Sequence, residues 1–551
     1  MNTLRRLSLL AIWATVAACG GGGGASTGET PPAAAPAPAP SPSPATGTTY
    51  HVRVDGGDAS QCTGLADAAY PGSGSTQACA WSSPMIALPP SGTARIAGGD
   101  TLLIHTGEYR VGLGAPGTAS CNSAWPWDCV MAAVPSGPDA AHPTRVLGQG
   151  HDAACPAPPQ LWGTERVRQV LSLAGSSHVQ LACLEITDRA PCVEFHSSPA
   201  FACNRDSYPY GDWASNGLYA ADSADVQLSN LNIHGLAVHG VLAGRLTDWT
   251  VGNVRVAGNG WAGWDGDLGG DSSNSGTLRF SRWLVEWNGC AETWPGNQPT
   301  GCWAQEAGGY GDGVGTGDTG GDWLIEDSIF RFNTSDGLDL LYHKLGGSVT
   351  LNRVWAEGNA GNQVKVAGNS SITNSVVVGS CGSFSGKAYT FNVDNCRAVG
   401  DALVVPMLTA TDVATLANNT VVSQGNVAVL TGGPAGAVLR LRNNILVGQP
   451  YFFSPEQQSA DTYDNDGRVL IDEAYSLKQG LRNAGCSSPG TLCGNAGLVS
   501  ASLSSADPHL AAGSAARDSG QAVGGVVPAT DLYGNPRPSG AGVDRGAVEM
   551  P

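Results

Sequence analysis

The sequence predicts an all-β fold, a solenoid of the parallel β-helix type in which the short strands of successive coils stack on one another. Three observations lead to this prediction. A short motif recurs through the chain at a regular spacing. Residues 226–233 and 438–446 alternate apolar and polar side chains, which is typical of half-buried strands. Beyond the N-terminal segment, no pattern indicates an amphipathic helix.

The recurring motif is an aliphatic or aromatic residue followed two positions later by a polar or turn-forming one. Its copies lie 21–29 or 44–47 residues apart, which indicates a rung of about 22 to 25 residues. The motif begins at Leu181, Leu228, Val251, Phe280, Ile325, Leu351, Ile372, Leu416 and Leu441. Asparagine often ends it, which predicts turns with left-handed backbone geometry. These asparagines are Asn230, Asn253, Asn374, Asn418 and Asn443. A leucine-rich repeat has a similar period, but its leucine consensus is absent.

The N-terminal residues predict export and attachment to a membrane. Two arginines, an apolar run and small residues lead up to Cys19, so residues 1–18 are expected to be a signal peptide. The sequence around Cys19 resembles the bacterial lipobox, which implies lipidation; the alternative is an ordinary signal peptide with an incidental cysteine. Gly20 rather than aspartate follows, which favours the outer membrane or cell surface. Residues 19–47, rich in glycine and then in alanine, proline and serine, are expected to be a tether.

Residues 48–551 are expected to form one elongated β-helix domain with a capping segment at each end. Residues 49–55 look like the first strand, and residues 98–110 resemble the opening coils of many bacterial β-helix proteins. The cysteine-containing segment between them is expected to cap the stack. Residues 531–537 and 543–549 resemble a terminal segment of exported β-helices, for which a capping role is predicted. No later apolar run approaches about 20 residues, so we expect the lipid to be the only anchor.

The cysteine content suggests a disulfide framework. Apart from Cys19 the chain has an even number of cysteines, 14 of the total of 15, as expected for an exported protein. Pairs close in sequence are expected to staple loops, while the full connectivity stays open. They are Cys62 with Cys79, Cys121 with Cys129, Cys290 with Cys302, Cys381 with Cys396, and Cys486 with Cys493. No paired CxxC spacing occurs, so the cysteines predict no zinc site.

The charge of the chain is strongly acidic. A net charge of −18 and a pI near 4.8 argue against nucleic acid as a partner, because phosphates are bound by basic patches. The same charge would repel any polyanion unless a cation lies between the two.

Candidate chemistry lies in three short strands between Asp312 and Lys365. In the repeat frame, Asp312 overlies Asp336, and Asp339 overlies Lys365 on the next coil. Coils of a β-helix are about 4.8 Å apart, so the three aspartates are expected to converge with Lys365 beside them. Such carboxylates repel one another unless a cation neutralises them, and Ca²⁺ is the hard divalent ion that takes several oxygen ligands.

The order Asp-Gly, then Asn-Thr-Ser-Asp-Gly-Leu-Asp, then Asn-Gln-Val-Lys resembles the site of family nine pectate lyases, over about 55 residues. This resemblance implies a right-handed parallel β-helix that cleaves pectate by β-elimination. It assigns Asp312, Asp336 and Asp339 as Ca²⁺ ligands and Lys365 as the base. Ser335 stands where the family has a fourth aspartate, so this metal position would be filled by an uncharged and weaker hydroxyl ligand.

The function expected from these residues is that of a surface-anchored, Ca²⁺-dependent polysaccharide lyase acting on a uronic-acid polymer. The metal would neutralise the substrate carboxylate and also bridge an acidic protein to a polyanion. A lysine serves as base only if its pKa falls, which nearby positive charge and partial desolvation would cause. Aromatic residues are expected to form sugar subsites or, alternatively, to pack the core. The predicted substrate-binding residues are Trp261, Trp264, Trp287, Trp294 and Trp303.

Two other functions remain open at this point. Residues 333–339 also resemble a motif of polygalacturonases, glycoside hydrolases that use paired carboxylates, although the other motifs of that family are missing. A non-catalytic glycan-binding or adhesion protein would use the same scaffold without Lys365 as a base. Asp265 and Asp267 would either bind a second Ca²⁺ or turn the chain. We expect a monomer that contacts an acidic polysaccharide and no nucleic acid.

Overall fold

Stacked parallel strands account for almost all regular structure in the computed structural model, which describes residues 47–293, 298–303, 310–464 and 467–551. These residues belong to one compact unit, Thr46–Pro551. The predicted signal peptide, Cys19 and almost all of the predicted tether lie outside the described residues, as does Trp294. Within the described part, no helix is both long and apolar enough to cross a bilayer.

Two parallel sheets contain most of the strands. The larger has 22 strands: Thr49–Gly57, Thr101–Ile104, Glu108–Val111, Thr144–Gly148, Gln160–Gly163, Ser177–Asp188, Ala224–His234, Thr247–Ala257, Ser275–Glu286, Asp322–Glu326, Ile329–Arg331, Val349–Asn352, Trp355–Glu357, Ser370–Thr373, Val376–Gly379, Val413–Ala417, Thr420–Ser423, Val438–Arg442, Ile445–Gly448, Leu470–Ala474, Leu477–Gln479 and Leu492–Cys493. The second has 10: Val167–Ser172, Ala214–Ala221, His239–Gly244, Ala262–Asp271, Val314–Asp318, Leu338–Leu340, Val364–Val366, Leu403–Val404, Val427–Thr431 and Ala460–Asp464.

The remaining elements are short. Four small pairings join Ala291–Thr293 with Gln298–Thr300, Cys302–Trp303 with Thr390–Asn392, Pro450–Tyr451 with Ser454–Gln458, and Leu498–Ser500 with Asp507–Leu510. The described helical segments are one α-helical turn, Pro84–Ala87, and two 3₁₀ segments, Pro126–Asp128 and Arg397–Gly400. The prediction of an all-β, right-handed parallel β-helix is confirmed; parallel strands joined by crossovers take this hand.

The larger sheet bends at the predicted turn residues. The five asparagines all have positive φ, from 50° at Asn374 to 55° at Asn253 and Asn418, so the prediction of left-handed geometry is confirmed. The same position in other coils carries Asp327 or Arg353, also with positive φ. Each bend separates two strands of the same coil, so the one sheet covers two faces of the solenoid.

Buried asparagines form a ladder along one edge of the coils. The Asn259 Nδ2 donates to Asn288 Oδ1 at 2.9 Å, Asn288 Nδ2 to Asn333 Oδ1 at 2.9 Å, and Asn333 Nδ2 to Asn359 Oδ1 at 2.8 Å. Gln363 ends the ladder, because its Oε1 accepts from Asn359 Nδ2 at 2.9 Å. Asn333 therefore overlies Asn359 on the next coil, and the ladder holds together the coils beside the candidate site.

All 14 described cysteines form disulfides. The five pairs suggested by their proximity in sequence are all bonded. Two further bonds join Cys155 with Cys183 and Cys192 with Cys203. Five of the seven bonds join cysteines 15 residues or fewer apart, so they constrain local loops.

The C-terminal segment packs along the side of the later coils. The turn asparagines reach it through hydrogen bonds, from Asn374 Nδ2 to Thr530 O at 2.8 Å and from Asn418 Nδ2 to Asp544 O at 2.9 Å. Within the segment, Arg537 and Glu549 form a buried ion pair at 2.6 Å. The segment therefore has a structural role at the bends of the solenoid.

Candidate active site

An open cleft of about 840 Å³ lies over the middle of the ten-stranded sheet. Its wall is dominated by carboxylates: Asp265, Asp267, Asp312, Asp318, Asp336 and Asp339. Lys365 and Arg397 supply positive charge at one end, and His239 lies at the other. The cleft is therefore an acidic trough with a few cationic side chains placed inside it.

The register of three consecutive strands assembles the predicted residues. Val314 pairs with Leu338, and Leu338 pairs with Val364. This register places Asp339 directly opposite Lys365 on the next coil and opposite Gly315 on the coil before it. The alignment derived from the repeat frame is thus confirmed.

The four side chains meet at short distances. One carboxylate oxygen from each of Asp312, Asp336 and Asp339 lies within 4.8 Å of the other two. Lys365 Nζ donates to Asp336 Oδ2 at 2.5 Å and to Asp339 Oδ2 at 3.0 Å. The Lys365 side chain is 13% exposed and that of Asp339 14%, so the group is largely dry but open to the cleft.

Backbone amides orient the carboxylates. Asp312 Oδ1 accepts from the Asp336 amide at 2.9 Å, and Asp336 Oδ1 accepts from the Asn362 amide at 2.6 Å. Asp339 Oδ1 accepts from the Leu341 amide at 2.9 Å. In Asp336 and Asp339 one oxygen is tied to the backbone while the other faces Lys365, which is the orientation a shared cation requires.

Burial and mutual repulsion make this cluster electrostatically strained. Burial, together with the charges of Asp336 and Asp339, holds the pKa of Asp312 well above its usual range. Burial and Asp336 also raise the pKa of Asp339, while Lys365 opposes this shift. Burial by itself lowers the pKa of Lys365, but the neighbouring carboxylates outweigh it and the net shift is upward.

The residues present fit a divalent cation. Three ionised carboxylates and one ammonium would leave a formal charge of −2, which a divalent cation would neutralise. Oxygen ligands of this kind match Ca²⁺, which accepts carboxylates in a flexible geometry. Asp312, Asp336 and Asp339 are the residues that would hold it.

Ser335 lies in the cleft wall, next to the guanidinium of Arg397. Its Oγ accepts a hydrogen bond from Arg397 Nη1 at 3.3 Å. A role for Ser335 as a fourth metal ligand stays a prediction. Arg397 was missed by the sequence interpretation, although its neighbour Cys396 forms the disulfide with Cys381 that anchors this loop. The disulfide brings a guanidinium to the same end of the cleft as Lys365.

The opposite end of the cleft holds a second group that the sequence interpretation missed. His239 Nε2 lies 3.0 Å from Asp265 Oδ2, and His239 Nδ1 lies 2.9 Å from Asn216 Oδ1. The Asp267 amide donates to Asp265 Oδ1 at 2.8 Å, which supports the turn interpretation of Asp265 and Asp267 over a second Ca²⁺ site. The signal available in the sequence was a histidine at the start of a repeat strand.

The predicted aromatic subsites are only partly brought to the cleft. Trp261 lines it, with its ring 4.2 Å from that of Tyr310. Trp264 is wrong as a subsite residue, because its side chain is fully buried in the core. Trp303 is only 8% exposed and packs on His196, so a role in stacking on sugars is contradicted as well. Trp287 stacks on Phe332 and lines a separate cavity of about 700 Å³.

Comparisons with known proteins give matches among solved structures only. No family model and no curated protein sequence matches the chain. The chain is similar to the structure of pectate lyase Pel9A, with 15% identity, 92% of this chain and 97% of that chain covered, and a TM-score of 0.42. It is also similar to an alginate lyase from Paenibacillus sp. str. FPU-7 (15% identity, 68% and 91% covered, TM-score 0.30). A rhamnogalacturonan lyase matches at 11% identity (82% and 91% covered, TM-score 0.28). At these values the likeness is one of architecture.

Proposed function

We propose that the chain is a Ca²⁺-dependent polysaccharide lyase that cleaves a uronic-acid-containing, pectate-like polymer by β-elimination. The observation that carries this proposal is the meeting of Asp312, Asp336, Asp339 and Lys365 in an open cleft. The cleft is long enough to run past several coils of the sheet, as a polymer requires. Its acidic wall is compatible with an acidic polymer only where a cation lies between the two.

Different residues would perform different parts of the proposed reaction. Lys365 is the base that removes the C5 proton of the uronate; the C4–C5 double bond then forms as the C4–O4 bond breaks, and the leaving oxygen takes up a proton from solvent. Arg397 supplies positive charge for the substrate carboxylate. Asp312, Asp336 and Asp339 hold the cation. Bound Ca²⁺ would neutralise the uronate carboxylate and so stabilise the negative charge that develops next to it.

Lys365 must lose its proton before it can take another. In this structure Asp336 and Asp339 keep its pKa above the usual value, so the ammonium form is favoured. The proposed mechanism therefore requires Lys365 to leave these two carboxylates before it acts. The side chain has the means to do so, since its four-carbon stem is flexible and its end faces the cleft.

The ion pairs of Lys365 also favour a second candidate, a glycan-binding protein without catalysis. In that case Lys365 would serve only to neutralise the aspartates. The hydrolase alternative has less support, because the other motifs of the polygalacturonases are missing from the sequence.

The test is a product assay on a panel of acidic polysaccharides, with and without Ca²⁺. A lyase produces unsaturated uronides that absorb in the ultraviolet, a hydrolase gives reducing ends without them, and a binding protein gives neither. We expect unsaturated product that disappears with a chelator and in Lys365→Ala. Persistence of the product in Lys365→Ala would sink the proposed mechanism.

Lys478 provides a matched control for this variant. It is also a buried lysine held by two carboxylates, at 2.7 Å from Asp461 and 2.8 Å from Glu473, but it lies outside the cleft. Removing one partner of such a cluster destabilises a fold by about 3–5 kcal/mol. We expect Lys478→Ala to lower the melting temperature while keeping activity, which separates a catalytic from a structural loss at Lys365.

We further propose that the mature chain is held on the outer membrane or cell surface by a lipid on Cys19. The support is the sequence preceding Cys19 and the composition of the tether. Metabolic labelling with a fatty acid should mark the wild type and leave Cys19→Ser unmarked. Release of the wild-type protein by salt alone would contradict lipid anchoring.

A further inference from the structure

A second group of metal-ligating side chains lies far along the chain from the cleft, at the first coils of the solenoid. His51 belongs to strand Thr49–Gly57, and His105 directly follows the adjacent strand Thr101–Ile104. Asp67 comes from the loop that the Cys62–Cys79 disulfide closes. Three separate parts of the chain thus converge here.

The distances match a transition-metal site. His51 Nδ1 lies 3.1 Å from His105 Nε2, and His105 Nε2 lies 3.5 Å from Asp67 Oδ1. All three atoms lie within 4.8 Å of one another. With Zn–N and Zn–O bonds of about 2.0–2.2 Å, neighbouring ligand atoms of a tetrahedral zinc site are roughly 3.3–3.5 Å apart. The His51–His105 and His105–Asp67 distances are therefore close to the separation of neighbouring ligand atoms in such a site.

Surrounding contacts hold the ligands in place. Arg53 Nη1 donates to Asp67 Oδ1 at 2.6 Å, so the carboxylate has a fixed orientation before any ion binds. The Tyr109 hydroxyl donates to the backbone oxygen of His105 at 2.8 Å. Outer contacts of this kind commonly orient metal ligands. The Asp67 side chain is 49% exposed, which leaves a path for an ion from solvent.

We propose that His51, Asp67 and His105 form a binding site for a borderline divalent cation, Zn²⁺ foremost, with three protein ligands and an open fourth position. Imidazole nitrogens select such ions over Ca²⁺, which prefers oxygen. The site ties the N-terminal loop to the first two coils. An ion that binds only the folded state stabilises it, so the metal strengthens the end of the stack.

The test uses the mature protein after removal of metals with a chelator, titrated with Zn²⁺ alone in a calorimeter. We expect one tight equivalent, and a loss of affinity on the order of 100-fold in Asp67→Asn and in His51→Gln. Asp67 lies on an exposed loop, so its variant tests the site with little risk to the fold. Bound Co²⁺ should show the absorption of a tetrahedral site.

Two control variants separate this site from Zn²⁺ binding elsewhere on the chain. His178→Gln removes a histidine that is hydrogen-bonded to a carboxylate, with Nδ1 2.7 Å from Asp225 Oδ2, and should bind Zn²⁺ as the wild type does. Asp336→Asn alters the cleft and should also keep the tight equivalent. The proposal is overturned if the wild type binds no tight Zn²⁺, or if Asp67→Asn and His51→Gln bind it with wild-type affinity; the histidines then form only a hydrogen-bonded pair.

Discussion

The aspartate cluster of the cleft and the histidine cluster of the first coils are assembled in different ways. Asp312, Asp336 and Asp339 come from successive coils at equivalent positions, so strand register alone brings them together. His51 and His105 come from neighbouring coils, but their partner Asp67 arrives on a disulfide-closed loop. The two clusters also differ in donor atoms, which are oxygen only in the first and mainly nitrogen in the second.

The clusters differ in their internal charge balance as well. The aspartates already bind the ammonium of Lys365, and burial together with the charges of Asp336 and Asp339 still raises the pKa of Asp312. Asp67 is paired with Arg53, and its histidine partners are uncharged in their metal-binding form. The first cluster is therefore suited to exchange one cation for another near a substrate, and the second to hold an ion in place.

The largest expected effect is on catalysis and is confined to the aspartate cluster. Asp336→Asn removes a ligand and one of the two carboxylates that hold Lys365. We expect the rate of unsaturated-product formation to fall by about 10²–10³-fold, because the cation that would stabilise the developing negative charge loses a ligand. His51→Gln serves as the control and should keep the wild-type rate. An active Asp336→Asn enzyme with unchanged Ca²⁺ dependence would contradict the assignment.

A second experiment measures the thermal unfolding of two variants, each with Ca²⁺ and with Zn²⁺. At about 100 times its dissociation constant, a cation that binds only the folded state adds about 2.7 kcal/mol. Asp312→Asn should lose the gain from Ca²⁺ and keep that from Zn²⁺, whereas Asp67→Asn should show the reverse. If both variants lose both gains, the clusters are not independent.

A third prediction concerns the pH dependence of stability, through a buried carboxyl group near Lys365. Burial raises the pKa of Asp401 to about 7, while its hydrogen bond from the Val427 amide opposes this shift. The folded state thus binds one more proton than the unfolded state between about pH 4 and 7. Stability should therefore fall as pH rises through this window, by up to about 1.4 kcal/mol per unit. In denaturant unfolding, the unfolding free energy of Asp401→Asn should depend less on pH than that of the wild type. An unchanged dependence would show that another group causes it.

The smallest expected effect comes from Gly315, which lies between Asp265 and Asp339 in the strand register. A Cβ at this position would lie 3.2 Å from Asp312 Oδ2. Crowding of this size costs about 1 kcal/mol, so Gly315→Ala should weaken Ca²⁺ binding by up to about tenfold and keep the fold. Calorimetry with Ca²⁺ measures this change in affinity. Gly252→Ala is the control, because a Cβ there would make only an ordinary contact with Ser281 Oγ at 3.6 Å.

The sequence by itself determined the coil architecture, the left-handed turns and the alignment of Asp312, Asp336, Asp339 and Lys365. These features repeat at a nearly constant spacing, so the position of a residue in its coil can be read without knowing the rest of the fold. Five of the disulfides were also accessible, because their cysteines are close in sequence.

Only the tertiary structure decided what lies between and beyond the repeats. Trp264 and Trp261 are three residues apart, yet Trp264 is buried in the core from strand Ala262–Asp271, whereas Trp261 precedes that strand and lines the cleft. Arg397 and Asp67 reach their sites on loops of irregular length, whose path no period encodes. The charge state of Lys365 was likewise inaccessible, because it depends on distances of about 3 Å to carboxylates on other coils.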